Sequence, residues 1–173
     1  MYRGRSTPTT KCDPLNAIAS AIPERDGDPV VFTRVWSARA PLERVIEATR
    51  LDLTPELHPL ITRVESLRER DGASECWLHE RVPLGPLQIP NRYRAARRVD
   101  GTNVTLEGWA HFGIHLRHEL ALRTAAERTE VTHHVHVTAP RLLRRFVAAT
   151  AQRAHDAWVA RVVAWVEAGP AGT

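Results

Sequence analysis

The C-terminal part of the chain carries one long helical pattern, which limits the available folds more than any other feature. From Pro140 to Ala168, apolar residues recur at steps of three and four, the spacing of one helix face. Pro140 suits a first helical turn, and Gly169-Pro170 is a stop signal. At about 1.5 Å per residue, this helix spans about 43 Å. It therefore needs a broad apolar surface to pack against.

The preceding segment alternates apolar and polar residues, which is typical of strands with one buried face. A strand is predicted at Val30 to Trp36, followed by helices at Pro41 to Thr49 and Leu53 to Leu57. Six further strands are predicted at 60–70, 74–82, 91–99, 103–112, 115–124 and 130–138. An antiparallel sheet with one apolar face provides the surface that the long helix needs.

Glycine and proline mark the connections. Asp71-Gly72 and Asp100-Gly101 are hairpin turn signals. Pro83-Leu84-Gly85-Pro86 is predicted as a broken connection, because two prolines cannot both serve a sheet ladder. We expect an N-terminal tail over 1–28 that is partly mobile, one ligand-binding domain over 29–169 and a short tail over 170–173.

Three segments of the chain, in their order, resemble one known superfamily. They are Trp36 to Val45 at the entry to the first helix, His58 to Glu65 at the start of the second strand, and Pro140 to Phe146, with His155, on the long helix. The chain resembles the SRPBCC superfamily of START-like, helix-grip proteins, in particular its polyketide cyclase-like members. The resemblance implies an α+β fold in which a curved seven-stranded antiparallel sheet wraps around the C-terminal helix, with two short helices after the first strand. It also implies a cavity for an apolar ligand.

Alternation within the strands predicts which side chains face this cavity. Five polar residues fall on the inner face: Glu80, Tyr93, Arg97, His118 and His133. The smaller or apolar residues expected around a ligand are Gly108, Ala110, Leu120, Phe146 and Trp158. The same alternation points Phe112 inward. An apolar pocket with a few convergent polar groups is the usual form of a small-molecule site.

Two interpretations of the inner polar groups stay open. In the catalytic one, His118 or His133 acts as general acid and base, because a histidine exchanges protons near neutral pH. Glu80 then orients the histidine, and Tyr93 or Arg97 holds a developing enolate oxygen. In the structural one, the histidines fill the core and Glu80 pairs with Arg97.

The outer face carries a weaker metal-site candidate. His134 and His136 lie on the same side of one strand, and His115 is the nearest third ligand. Two histidines that alternate with threonines are a weak signal, so we predict no metal and no cofactor. Trp77 and Trp109 are expected on this face, as a partner or dimer patch, unless the strand register slips by one residue.

Composition excludes several classes of function. The formal net charge is +4, but the basic residues are spread along the chain among 20 acidic ones. We therefore expect no nucleic-acid partner. No apolar run approaches the ~18 residues of a membrane span, and no signal peptide is recognisable, so a cytoplasmic protein is expected. Phosphate-binding, hydrolase-elbow and zinc-protease motifs are also missing from the sequence.

The sequence therefore predicts binding of a hydrophobic small molecule, polyketide- or lipid-like. If the chain is an enzyme, the resemblance implies a cyclase or aromatase that closes a ring and eliminates water. A carrier without catalysis and a START-like protein-interaction module are the alternatives, since one fold hosts several functions.

Overall fold

A seven-stranded antiparallel sheet and one long helix form the structure, a computed structural model that describes residues 29–70 and 72–169. The tails predicted at 1–28 and 170–173, and Asp71 of the first turn, lie outside the described residues. The strands are β1 (Val30–Ala38), β2 (Ile61–Arg70), β3 (Ala73–Leu84), β4 (Leu87–Asp100), β5 (Asn103–Trp109), β6 (His115–Ala125) and β7 (Arg128–Thr138). The helices are α1 (Leu42–Glu47), α2 (Thr54–Leu57) and α3 (Arg144–Glu167), with 3₁₀ turns at Leu51–Leu53 and His111–Gly113.

The sheet order is β1-β7-β6-β5-β4-β3-β2, so the first strand pairs with the last. Strands β2 to β7 form a meander of consecutive antiparallel neighbours. Gly101, at φ +56°, supplies the left-handed backbone at the tight β4–β5 turn. With two short helices after β1 and α3 packed on the sheet, this arrangement confirms the α+β helix-grip fold.

The core lies where the C-terminal half of α3 meets β1, β6 and β7. Val162 and Val166 of α3 are buried there with Val131 of β7. The rings of Trp36 and Trp158 meet edge to face at 6.5 Å. This packing fixes one end of the helix on the sheet. Among the described residues, no helix combines the length and the apolar character that crossing a membrane requires.

The β3–β4 hairpin is longer than predicted, and the expected break at Pro83–Pro86 is wrong. Leu84 pairs with Leu87, and Pro83 lies opposite Gln88 within the ladder. Prolines fit here because the partner strand β2 ends its pairing at Glu80, and β5 begins its pairing at Arg94. The tip is a two-stranded ribbon with free edges, where a proline nitrogen costs no hydrogen bond.

The inward position predicted for Phe112 is also wrong. Strand β5 ends at Trp109, and the chain then turns at His111–Gly113. Phe112 adopts φ +59° and is 80% exposed. Alternation holds only while a strand continues, and this strand ends three residues before Phe112.

Candidate functional site

A pocket of about 220 Å³ lies between the concave face of the sheet and the N-terminal half of α3. This half of the helix contributes Phe146, Val147 and Ala151 to the pocket wall, and Trp158, just past the middle of α3, borders both the pocket and the core. The sheet contributes mostly small or apolar side chains, among them Leu78, Ala95, Gly108, Ala110 and Leu116. The C-terminal half of the helix packs on the core, whereas this half stands over open space. The same helix therefore supplies both packing and a pocket wall.

Several residues predicted around a ligand line this pocket. They are Glu80, Tyr93, Gly108, Ala110, His118, Phe146 and Trp158. At Gly108 a β-carbon would stand 3.1 Å from Cε2 of Tyr93, so the glycine makes room for the tyrosine ring. Strand alternation placed Glu80, Tyr93, Gly108 and His118 on the inner face because β3, β4, β5 and β6 keep their register over this region.

Arg97 and Leu120 lie elsewhere, which corrects two predictions. The Arg97 guanidinium donates from Nε to Thr49 Oγ1 at 2.9 Å and from Nη2 to the Ile46 carbonyl at 3.0 Å. It thus ties the end of α1 to the sheet, beside a second pocket. Leu120 is 1% exposed within the hydrophobic core. Arg97 does not pair with Glu80 either, because its guanidinium is directed to Thr49 and Ile46, while the Glu80 carboxylate accepts from Asn91.

Glu80 does not orient a histidine. Its carboxylate accepts a hydrogen bond from Asn91 Nδ2 at 2.7 Å. Strands β4 and β5 separate it from His118 on β6. Burial raises the pKa of the Glu80 carboxyl, while the bond from Asn91 opposes this shift. Burial likewise raises the pKa of Tyr93. This side of the pocket therefore offers a neutral phenol and a carboxyl that resists ionisation.

A cluster of histidines forms another part of the wall. His118 Nδ1 and His133 Nε2 are 3.1 Å apart and share a hydrogen bond. His118 lines the pocket, whereas His133 is fully buried. The His155 ring, from α3, meets His133 edge to face at 4.2 Å. Like His118 and His155, His58 after α2 also lines the pocket. Four separate segments of the chain, the connection after α2, β6, β7 and α3, bring these imidazoles together.

Burial keeps these imidazoles neutral. It lowers the pKa of His118 to about 3, and those of His58 and His155 to about 4. It also lowers the pKa of His133. Mutual repulsion adds to the effect, since a charge on one ring disfavours a charge on the next. At neutral pH each ring therefore has one N–H donor and one acceptor nitrogen.

The outer-face histidines are paired with other side chains. His134 Nδ1 is 2.8 Å from Thr33 Oγ1. His115 Nε2 is 3.4 Å from a Glu107 oxygen, and His136 Nε2 is 3.7 Å from a Glu119 oxygen. Within the described residues, the group with spacing suited to a metal ion is His118, His133 and His155 instead.

The two outer tryptophans are covered by arginines. The Arg92 guanidinium lies 4.4 Å from the Trp77 ring, and that of Arg94 lies 5.6 Å from the Trp109 ring. Both arginines also pair with carboxylates of the same face, Glu65 and Glu75. The convex face is thus an ion-pair network with the tryptophans beneath its cations.

Four residues at the pocket were not predicted as site residues from the sequence: His58, Asn91, Thr150 and His155. Thr150 Oγ1 and His155 Nε2 are buried and have no hydrogen-bond partner among the described residues. The signal for His155 was present, because position 155 follows Ala151 by four residues and precedes Trp158 by three. His58 lies in a short connection, where no periodicity indicates a direction.

Solved structures share this fold. The Zhui aromatase/cyclase from Streptomyces sp. R1128 superposes with a TM-score of 0.68 at 20% identity, over 80% of this chain and 94% of that one. A START superfamily protein from Mycobacterium smegmatis gives 0.64 at 10% identity, over 80% of this chain and 97% of that one. The di-domain ARO/CYC StfQ of the steffimycin biosynthetic pathway gives 0.61 at 20% identity, over 79% of this chain and 44% of that one.

These likenesses confirm the START-like fold expected from the sequence. At 20% identity or less, they extend to the fold alone. No protein-family model matches the sequence, and no curated protein matches it.

Proposed function

We propose that this protein, as a polyketide cyclase-like member of the SRPBCC superfamily, binds an apolar, carbonyl-bearing small molecule of the polyketide or lipid class between the sheet and α3. The observation that carries the proposal is the pocket itself, formed where the N-terminal half of α3 stands off the sheet. Its volume of about 220 Å³ exceeds the roughly 150 Å³ that is enough to hold benzene. A ligand with one or two rings fits this space.

Uncharged donors favour a ligand rich in carbonyl oxygens. The Tyr93 hydroxyl stays protonated, since burial raises its pKa. Thr150 Oγ1 has no hydrogen-bond partner among the described residues. A buried hydroxyl without such a partner costs about 1–3 kcal/mol of stability. A ligand oxygen that accepts a hydrogen bond from the Thr150 hydroxyl would offset part of that cost, and the Tyr93 hydroxyl can donate to a second ligand oxygen. The names of two structural neighbours, aromatase/cyclase and ARO/CYC, support a polyketide-like ligand.

His118 is the residue we propose to act on the ligand. Its Nδ1 is engaged with His133, so Nε2 is the ring nitrogen left for the pocket. If His133 Nε2–H donates to His118 Nδ1, the unpartnered His133 Nδ1 is a lone pair rather than a stranded N–H donor. The His118 Nε2–H then donates to a ligand carbonyl oxygen. In an aldol-type ring closure, solvent takes the proton from the α-carbon, and the hydrogen bond stabilises the enolate oxygen until the new C–C bond forms. His133 is a positioning residue in this scheme.

A carrier that binds without turnover is the second candidate. The low pKa of His118, about 3, favours it, because a neutral imidazole is a poor proton donor to a leaving hydroxyl at neutral pH. The pocket serves both functions equally. Homodimer formation, cytoplasmic location, the exclusion of nucleic acids and the alternative of a START-like protein-interaction module stay predictions.

A pair of alanines on α3 tests binding. Ala151 lines the pocket, while Ala160 is exposed on the same helix. Titration with the fluorescent probe ANS should show saturable binding to the wild type and to Ala160→Phe, and at least tenfold weaker binding to Ala151→Phe. Equal affinity in all three proteins places the bound probe outside the pocket and contradicts the proposal.

Turnover separates the two candidates. A short linear poly-1,3-diketone, followed by the ultraviolet absorbance of its cyclised product, is the substrate to use. A cyclase should lose about 10²-fold or more in rate on His118→Phe while it still binds the substrate. A wild-type rate equal to the spontaneous rate, with intact binding, identifies the carrier.

A further inference from the structure

We propose that His118, His133 and His155 form a binding site for a transition metal ion, with Zn²⁺ the best fit, in the wall of the pocket. The ligands come from β6, β7 and α3, so the site exists only in the folded chain. The proposal concerns binding of the ion alone and does not depend on the organic ligand.

The spacing of the ligand atoms supports the site. One nitrogen from each ring lies within 4.8 Å of the other two. Two imidazole nitrogens on one tetrahedral zinc ion, each about 2.0–2.1 Å from it, are about 3.3 Å apart. His118 Nδ1 and His133 Nε2 are already 3.1 Å apart. The ion would take the place of the proton that these two nitrogens share, and that proton would move to the other nitrogen of the ring that carries it. The His155 nitrogen, at most 4.8 Å from the other two ligand atoms, would have to move closer to complete the set.

An unpartnered nitrogen provides the second, independent observation. His155 is 3% exposed, and its Nε2 has no hydrogen-bond partner among the described residues. Its ring packs edge to face on His133 and at a tilt against His118 and Trp158 instead. A buried imidazole nitrogen without a partner costs stability, and coordination to an ion between these rings removes that cost.

The ligand set selects the class of metal. Three imidazoles without a carboxylate or thiolate suit zinc, copper, iron and nickel rather than magnesium or calcium. Three histidine ligands with a fourth position open are typical of catalytic zinc sites. His118 and His155 line the pocket, so the open position faces it. Water, or an oxygen of a molecule in the pocket, takes that position.

The histidines of the outer face serve as the control for this site. His134 and His136 also lie close together, but they contact Thr33 and Glu119. A histidine-rich chain binds metal loosely at many positions, so the test must separate the inner cluster from these two residues.

The decisive experiment uses the full chain, stripped with EDTA and dialysed. Titration with Co²⁺ alone should produce the intense visible absorption of tetrahedral cobalt, which saturates at one ion per chain and is bleached by Zn²⁺. His155→Gln and His118→Gln should each weaken binding by at least tenfold. The double variant His134→Gln/His136→Gln should leave it unchanged. Absence of the tetrahedral band, or its loss in the outer-face variant, overturns the proposal.

Thermal unfolding shows whether a variant that fails to bind the ion is still folded. An ion that binds only the folded chain stabilises it, so Zn²⁺ at a hundredfold excess over its Kd should raise the wild-type Tm by about 5–10 °C. A folded His155→Gln protein should show less than half of that rise. A rise of equal size in His155→Gln shows that the ion binds elsewhere and contradicts the site. Because no organic ligand is added, failure of the pocket to bind ANS leaves this result unaffected.

Discussion

At the scale of single residues, the inner histidines owe their chemistry to position alone. His118 of β6 and His136 of β7 are the same residue type on adjacent strands. His118 faces the pocket with its pKa lowered to about 3, whereas His136 lies on the outer face 3.7 Å from a Glu119 oxygen. Strand parity decided this difference, because alternate side chains point to opposite faces. A one-residue slip would exchange the two environments.

Acid should destabilise the metal-free protein through its buried histidines. In the unfolded chain these rings protonate near pH 6.5, whereas the folded-state pKa values are about 3 for His118 and about 4 for His58 and His155. The unfolded state therefore binds more protons between pH 6.5 and 4, and stability falls as the pH falls through this window. Arg34 adds to the shift at His155, and Asp156 opposes it. The expected slope is up to about 1.4 kcal/mol per pH unit for each histidine.

Urea unfolding in EDTA at several pH values measures this slope. His118→Gln should reduce it by about one histidine's share, whereas the outer-face variant His134→Gln should keep it. A free energy of unfolding that does not change between pH 6.5 and 4.5 contradicts neutral burial of the cluster.

A substitution at Gly108 tests whether the Tyr93 ring limits the space in the pocket. The β-carbon of Gly108→Ala would stand 3.1 Å from Cε2 of Tyr93 and push the ring into the pocket. Because the ring has open space to move into, we expect the free energy of unfolding to change by less than about 1 kcal/mol. Affinity for ANS should fall several-fold. In the double variant Gly108→Ala/Tyr93→Ala, where the ring is removed, the added methyl should have no effect relative to Tyr93→Ala. An unchanged affinity in Gly108→Ala means that Tyr93 does not limit the pocket.

At the scale of elements, the sequence predicted which side chains lie on the inner face of the sheet, but not which helix packs over each of them. Alternation placed Tyr93, Ala95 and Arg97 on the inner side of β4, and the structure agrees. Alternation does not indicate which part of the molecule stands above each position. Tyr93 faces the pocket under α3, whereas Arg97, four residues on, lies beneath α1. That assignment depends on how the helices dock, which is a property of the whole chain.

Arg97 should therefore matter for stability and not for ligand binding. Its guanidinium bonds Thr49 Oγ1 and the Ile46 carbonyl, and hydrogen bonds to a charged group contribute about 1.5–3 kcal/mol each. We expect Arg97→Met to lower the free energy of unfolding by about 2 kcal/mol, since the remaining polar groups reach water in part. The matched control is Arg98→Met, the next residue and exposed. A large loss of ANS affinity in Arg97→Met, with stability intact, would place this arginine in the pocket after all.

At the scale of the whole molecule, the two halves of α3 pack differently against the open sheet. Val162 is fully buried and Val166 is 3% exposed, while Phe146 is 38% exposed at the other end of the helix. The sequence predicted the helix and its apolar residues, but not this division. Its apolar spacing is the same at both ends, so the difference arises from how far the curved sheet lies beneath each half.

The two halves of α3 should therefore respond differently to the same substitution. Val162→Ala removes methyl groups from the closed core and should cost about 1–3 kcal/mol of unfolding free energy. Val147→Ala removes them from the pocket wall, where space is already open, and should cost less than about 1 kcal/mol. Urea unfolding of both variants compares these losses directly. Equal losses would mean that the helix packs uniformly along its length and that no pocket separates it from the sheet.

Hydrogen exchange tests the same division without a substitution. Backbone amides between Val147 and Ala151 should exchange faster than those between Val162 and Val166, because less buried apolar contact has to be broken when the first segment opens locally. Bound ANS should slow exchange in the first segment more than in the second, since only the first stands over the pocket. Protection that is uniform along α3, with or without the probe, contradicts a helix anchored on the core at one end and closing a ligand site at the other.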